Sequence, residues 1–295
     1  MSGARIAFVT CAKWPAIADD DAVAAAVLGE LDATVVAAVW SDPNVVWSDF
    51  DAVVLRSTWD YFERLPEFLD WLNRMEAAEV RVWNPVPTVR WNLDKRYLLE
   101  LAARDIAIIP TERLERGQRT SLEEVLRRRG WTRAVVKPAV SAGSFRTFRT
   151  SIAEAASAPG TAHHEDAFQR LLAECDVLVQ PFIDEIVDAG EWSFVFFDGT
   201  FSHALIKRTH PEDFRTQPQF GAVHTRTEPP AHLLERARAA MESLGERCLY
   251  ARVDGVVVRE RFHVMELELI EPCLYLDGDR AAAARFARAI LARMR

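Results

Sequence analysis

The chain has 295 residues, 49% of them hydrophobic and 27% charged, with a net charge of −8. Its length predicts two or three domains. The acidic balance argues against a nucleic-acid-coating surface, and no apolar run reaches the roughly 18 residues that span a bilayer. The opening MSGARIAFVT has no secretory apolar region, and the four cysteines (Cys11, Cys175, Cys248, Cys273) are scattered. A soluble cytoplasmic protein without disulfides or zinc is the expectation.

Residues 5–11 (RIAFVTC) are rich in β-branched and aromatic residues and predict a buried strand. Residues 19–30 are Ala-rich and open on Asp residues, which favour a helix dipole. Strands follow at 34–40 and 52–55, a helix at 66–78 and a short strand at 81–83. This alternation implies a small, mostly parallel open sheet. Asn92 is read as the cap of a helix in NLDKRYLLELAARD, and Ser121-x-x-Glu124 as a capping box. AVVKP is a strand stopped by Pro138, SAGS a small loop, 165–174 a helix and VLVQPFI a strand that leaves at Pro181. From Trp192 the pattern becomes antiparallel. WSFVFF and TFSHALIK flank Asp198-Gly199, a pair suited to a type I′ turn. Residues 230–245 read as a helix, VDGVVVRERFHVMELEL as a second hairpin and 279–295 as a closing helix. The boundaries give units 1–90, 91–182 and 183–295.

In the second hairpin, apolar residues alternate with acids. A turn centred on Glu260 sets Asp254 opposite Glu266, with Glu268 on the same face. Opposed acids repel, and an unpaired buried charge costs several kcal/mol. Mg²⁺ completed by substrate phosphates would offset both. A solvated face screened by Arg259 and Arg261 is the other reading, but Leu267, Leu269 and Ile270 make the opposite face strongly apolar. P-loop and dinucleotide fingerprints are absent. Lys137 nonetheless ends a strand beside SAGS, whose backbone N–H groups suit phosphate oxygens. Lys95 falls in a first helical turn, where a cation opposes the dipole. Taken singly, a surface lysine and an ion-paired lysine are the more ordinary readings. VVLRSTWDY ends an N-terminal strand, and ligands of open α/β sheets bind beyond strand C-termini. Arg56, Ser57, Thr58 and Asp60 are therefore substrate candidates. A structural loop with Trp59 packed between domains is the alternative.

Seven segments in order, NLDKRYLLELAARDIAIIPT, VVKPAVSAGS, VLVQPFIDEI, GEWSFVFFDG, ALIKR, ARVDGVV and ELELIEP, resemble the ATP-grasp carboxylate–amine ligases over about residues 90–275. The resemblance implies an ATP-grasp fold, α/β plus α+β, with an N-terminal open parallel-sheet domain, a central lid and a C-terminal subdomain holding the metal site. It implies that Lys95 and Lys137 bind nucleotide phosphates beneath a loop of Ser141, Gly143 and Ser144. Gln180, Pro181, Phe182 and Ile183 would read adenine, and Glu191 with Glu185 would bind ribose. Lys207 and Arg208 would point at the triphosphate, with Arg252 beside Asp254. Asp254, Glu266 and Glu268 would hold Mg²⁺, two ions in the family. The family has Asn where Glu268 stands, and Glu271 is the other acid available. The loop THPEDFRTQPQFGAVHTR, carrying Arg215, Gln217, Gly221, His224 and Arg226, resembles a D-F-R-x-N…G segment, which makes Arg215 the implied grip on γ-phosphate or acylphosphate.

The implied chemistry is attack of a carboxylate on ATP and displacement of phosphate by an amine, with no side-chain nucleophile. VLRSTWDY, NPVPTVRWNLDKRYL, DFRTQPQFG and ELELIEP resemble most the branch that includes the cycloserine synthetase, which cyclises O-ureido-D-serine. That branch implies a small amino-acid-like partner, no nucleic acid, no membrane and, by analogy, a homodimer. The alternatives are a ligase using a separate amine and a nucleotide-binding regulatory protein without turnover.

Overall fold

The computed structural model describes residues 3–156, 163–210, 213, 215–216 and 220–294. The first sheet is parallel, with order β2-β1-β3-β4, from β1 (Ala4–Thr10), β2 (Ala33–Val39), β3 (Ala52–Leu55) and β4 (Val82–Trp83). Its central strands are buried on both faces, which explains their unbroken apolar runs. Helix α1 (Asp19–Glu30) covers one face through Val27 and Leu28. Helix α2 (Leu65–Ala77) covers the other through Phe68, Trp71 and Leu72.

Helix α3 (Val86–Leu93) crosses residue 90, and α4 begins only at Tyr97 (Tyr97–Ala103). Asn92 is therefore no N-cap, and Lys95 sits in the break between helices rather than in a first turn. The buried Asn92 side chain instead donates to Leu267 O and accepts from Leu269 N, both at 2.8 Å. That ties α3 to backbone groups that a sheet edge would leave unpaired.

A second sheet has order β5-β8-β6-β7, with all neighbours antiparallel. Its strands are β5 (Glu112–Leu114), β6 (Arg133–Pro138), β7 (Phe148–Ser151) and β8 (Val177–Pro181). β5 and β7 (ERL and FRTS) are too short and polar for a strand signal in the sequence. Helices α5 (Leu122–Arg129), α6 (Ile152–Ala155) and α7 (His163–Glu174) pack on this sheet. The expected capping box opens α5, with Ser121 Oγ accepting from Glu124 N at 3.1 Å and Glu124 Oε2 accepting from Ser121 N at 3.0 Å.

After the single turn α8 (Glu185–Asp188) comes a third, antiparallel sheet, β11-β10-β9-β12-β13. It consists of β9 (Glu191–Phe197), β10 (Thr200–Arg208), β11 (Val223–Arg226), β12 (Tyr250–Val258) and β13 (Arg261–Glu268), backed by α9 (Ala231–Glu242). Asp198 and Gly199 both have positive φ, as the expected type I′ turn requires. The second hairpin differs from its expected form. Its turn is the pair Arg259-Glu260, both at positive φ, with Val258 opposite Arg261. Continued regularly, that register would pair Asp254 with Met265. A bulge between Gly255 and Asp254 restores the pairing of Asp254 with Glu266. Gly255 is needed there, because a Cβ would lie 2.4 Å from His263 O.

The last helix, α10 (Arg280–Arg293), returns to the first sheet. Phe286 and Ile290 pack with Ile6, Phe8 and Leu28, and Asp279 caps its start. Among the described residues, no helix is long and apolar enough to cross a membrane.

Candidate active site

A cavity of about 750 Å³ opens where the three sheets meet. That volume is in the range of small-molecule sites. The turn after β3 contributes Trp59, Tyr61 and Phe62, β6 and the loop after it contribute Lys137, Ser141, Gly143 and Ser144, and β10, β12 and β13 contribute the charged groups.

Strand alternation and register assemble those charges. Lys207 on β10 lies opposite Glu191 on β9, and Asp254 on β12 lies between Ser193 of β9 and Glu266 of β13. Lys207 Nζ is 3.1 Å from Glu191 Oε1 and 3.3 Å from Asp254 Oδ2. Burial works against the Lys207 ammonium, but Asp254 and Glu191 outweigh it and hold its pKa above the ordinary value. Arg252 donates to both oxygens of Asp254 at 3.0 Å and also to Glu268. Burial alone would raise Asp254, yet Arg252 and Lys207 bring it down to about 2. Lys95 reaches Glu266 at 3.1 Å and donates to Ser141 O in the loop after β6.

This arrangement corrects the expected metal triad. The side chain of Asp254 is 2% exposed and is enclosed by Arg252, Lys207 and Ser193. Among the described residues, no three acids, histidines or cysteines converge as a metal cage. Glu266 and Glu268 keep 31% and 28% of their side-chain surface open to the cavity. Two hard carboxylate donors beside phosphate-ready cations fit a divalent ion that shares its shell with a phosphate ligand. Burial, reinforced by Asp254 and Glu266, pushes Glu268 up to about 7 against the pull of Arg252, which marks uncompensated negative charge at this wall. Lys137 is the complementary case. Among the described residues it makes no ion pair, and burial, followed by repulsion from Lys95, lowers its pKa despite Glu266.

The apolar end is lined by Ile109, Gln180, Pro181, Ile183 and Ile186. Gln180 is pinned by donating to Thr111 Oγ1 at 2.8 Å. Phe182 departs from expectation: it turns out of the cavity beneath Arg133 and Arg149, and its N–H is spent on Arg133 O. Glu191 lines the cavity, but its carboxylate is held by Lys207 and by Thr216 at 2.7 Å. Glu185 in α8 does not line it, nor does Arg208, which is exposed at the end of β10. Arg215 does, with its guanidinium held by Asp213 at 2.6 Å. Gln217 lies outside the described residues.

The substrate set of the β3 loop is not brought to the cavity. Arg56 is fully interior, donating to Asp21 at 2.8 Å and to Pro272 O at 2.7 Å. Asp60 accepts from Trp40 Nε1 at 2.7 Å, and the hydroxyls of Ser57 and Thr58 are buried. Their neighbours Trp59, Tyr61 and Phe62 face the cavity instead. Ser193, Thr216 and Tyr275 join the site unforeseen. Ser193 was within reach of sequence reasoning, since it is two residues along β9 from Glu191 and shares its face.

Residues 6–84 match the family model of the N-terminal domain of D-cycloserine synthetase DcsG. Over 277 residues the chain is 35% identical to the cycloserine biosynthesis protein DcsG of Streptomyces lavendulae, with 87% of each chain covered. The crystal structure of D-cycloserine synthetase DcsG superposes with a TM-score of 0.85 at 30% identity, covering 99% of this chain and 100% of that one. A D-alanine–D-alanine ligase from Bacillus anthracis, complexed with ATP, matches in fold with a TM-score of 0.69 at 17% identity, over 99% and 97% of the two chains. The fold is that of the ATP-grasp ligases, and the protein is an ATP-dependent carbon–nitrogen ligase. Within that class, the chain belongs to the D-cycloserine synthetase (DcsG) family.

Proposed function

We propose that the protein uses ATP to activate the carboxylate of a small amino-acid-like substrate as an acylphosphate and then closes an amide-type ring within the same molecule. O-ureido-D-serine is the favoured substrate. The observation that carries the ATP site is Lys137, a cavity-lining cation that makes no direct ion pair among the described residues, with Lys95 and the loop of Ser141, Gly143 and Ser144 lining the same cavity. Phosphate oxygens would supply the missing negative charge. Lys95, Lys137 and Lys207 take the phosphates, and the apolar end beside Gln180 and Ile183 takes the base.

Glu266 and Glu268 are assigned to Mg²⁺, two ions in this reading, which would neutralise developing phosphate charge. Arg252 and Lys207 keep Asp254 ionised, so these three residues act as a fixed electrostatic frame. The ring-closing reading rests on kinship with the cycloserine synthetases. A cytoplasmic setting fits the four free cysteines.

The test is ADP release with Mg-ATP across O-ureido-D-serine, other D- and L-amino acids, and the same acids with added amines, with products read by mass. ADP together with a cyclic product from O-ureido-D-serine alone is expected. ADP only when an amine is added would replace ring closure with an intermolecular ligation. ATP binding without ADP from any mixture would refute the catalytic reading.

A further inference from the structure

We propose that Glu271 is the proton acceptor of the bond-forming step. The inference rests on the ligase reading above. Among the described residues, every other acid facing the cavity has a partner: Glu63 has Lys13, Glu191 and Asp254 have Lys207, Glu266 has Lys95 and Glu268 has Arg252. Among the described residues, the Glu271 carboxyl meets only its own backbone N–H.

The backbone that carries it is held by side chains alone. Trp59 Nε1 donates to Glu271 O at 3.2 Å and Arg56 to Pro272 O at 2.7 Å. Arg252 donates to Cys273 O at 3.0 Å, His203 Nε2 lies 2.9 Å from Leu274 O, and Arg226 donates to Tyr275 O. Five consecutive carbonyls thus have five separate side-chain partners, while Asp20 accepts from Leu274 N at 2.9 Å and Asp277 N at 3.1 Å. Ordering an irregular segment costs conformational entropy at every residue. Here that cost fixes an unpaired carboxyl against the cavity, which is the placement expected of a proton-transfer group.

The groups around Glu271 are Glu266 and Glu268 of β13, Lys95 before α4, Tyr61 after β3 and Tyr250 of β12. Burial first and Glu268 second push the carboxyl above its ordinary value, in the direction that favours holding a proton. In the step, the nitrogen lone pair forms the bond to the acyl carbon. The carbon–oxygen bond to phosphate breaks, phosphate leaves with that electron pair, and the N–H proton passes to the Glu271 carboxylate.

Glu271→Gln in the full chain tests this with Mg-ATP and O-ureido-D-serine. Positional isotope exchange in ATP labelled with ¹⁸O at the β,γ-bridge reports the phosphorylation step, and mass reports the ring product. Exchange within a few-fold of wild type, with product formation down about 10²–10⁴-fold, is expected. Glu271→Asp should recover part of the product. The Tm of Glu271→Gln should equal or exceed that of wild type, because the amide removes repulsion from Glu268. Normal product, or an equal loss of exchange and product, overturns the assignment. A wild-type enzyme showing neither exchange nor product overturns the functional reading and this inference with it, and that outcome is visible in the wild-type arm alone.

Discussion

Arg56→Met is the sharpest test of the interior charge arrangement. The side chains of Arg56 and Asp21 are 1% and 3% exposed and lie 2.8 Å apart. Removing the cation strands a buried carboxylate, which costs about 3–5 kcal/mol. Burial already pushes Asp21 above its ordinary 3.8, against the pull of Arg56. Without Arg56 the folded pKa rises further above the unfolded value. The penalty is then complete above the folded pKa and fades as pH falls through it. Urea unfolding followed by Trp fluorescence should show a deficit of about 3–5 kcal/mol at pH 7 that shrinks by at least about 1 kcal/mol at pH 5. Adding Asp21→Asn should abolish that pH dependence and restore part of the stability. A deficit below about 1 kcal/mol at pH 7, or one equally large at both pH values, would refute the reasoning.

Lys137→Met should leave the thermal melt intact and lower ADP formation about 10²–10³-fold, as loss of one preorganised phosphate partner does; turnover at wild-type rate would remove Lys137 from the site. Glu266→Gln should raise the Mg²⁺ concentration needed for half-maximal turnover by tenfold or more, and an unchanged Mg²⁺ dependence would exclude it as a ligand. Burial, with Arg226 adding to it, lowers His203 from 6.5 to about 4, so the folded chain keeps it neutral. Stability is therefore complete above pH 6.5 and falls by about 3 kcal/mol as pH drops toward 4, a slope that His203→Gln should flatten in chemical unfolding across that range. Trp59→Phe deletes the donor to Glu271 O and should lower kcat several-fold while leaving KM for ATP unchanged; equal changes in both constants would count against a positioning role.

Local rules carried much of the architecture. Residues 19–30, the Ser121 capping box and the Asp198-Gly199 turn were legible because each depends on neighbours within one turn or one hairpin. Strand periodicity likewise placed Asp254, Glu266 and Glu268 on one face of the second hairpin, which lines the cavity, whereas Lys207 was implied only by the family resemblance. The β12–β13 pairing was reached through the wrong turn. The bulge opposite Gly255 offsets the one-residue difference, and a backbone irregularity of that kind leaves little trace in an apolar–acid alternation.

The sequence by itself determined the longer helices and strands, the family and the stock of charged groups at the site, but not the short polar strands β5 and β7 or the break between α3 and α4. Only the tertiary structure decided which charge meets which. Arg252 spans Asp254 and Glu268, Arg56 turns inward to Asp21 and Pro272, and α10 closes over a sheet that begins at Ala4. The reason is that a buried ion pair or a held carbonyl joins residues up to about two hundred positions apart, as Arg56 and Pro272 are. Such partners are selected by the path of the folded chain and the low dielectric around them, neither of which is encoded in a local window.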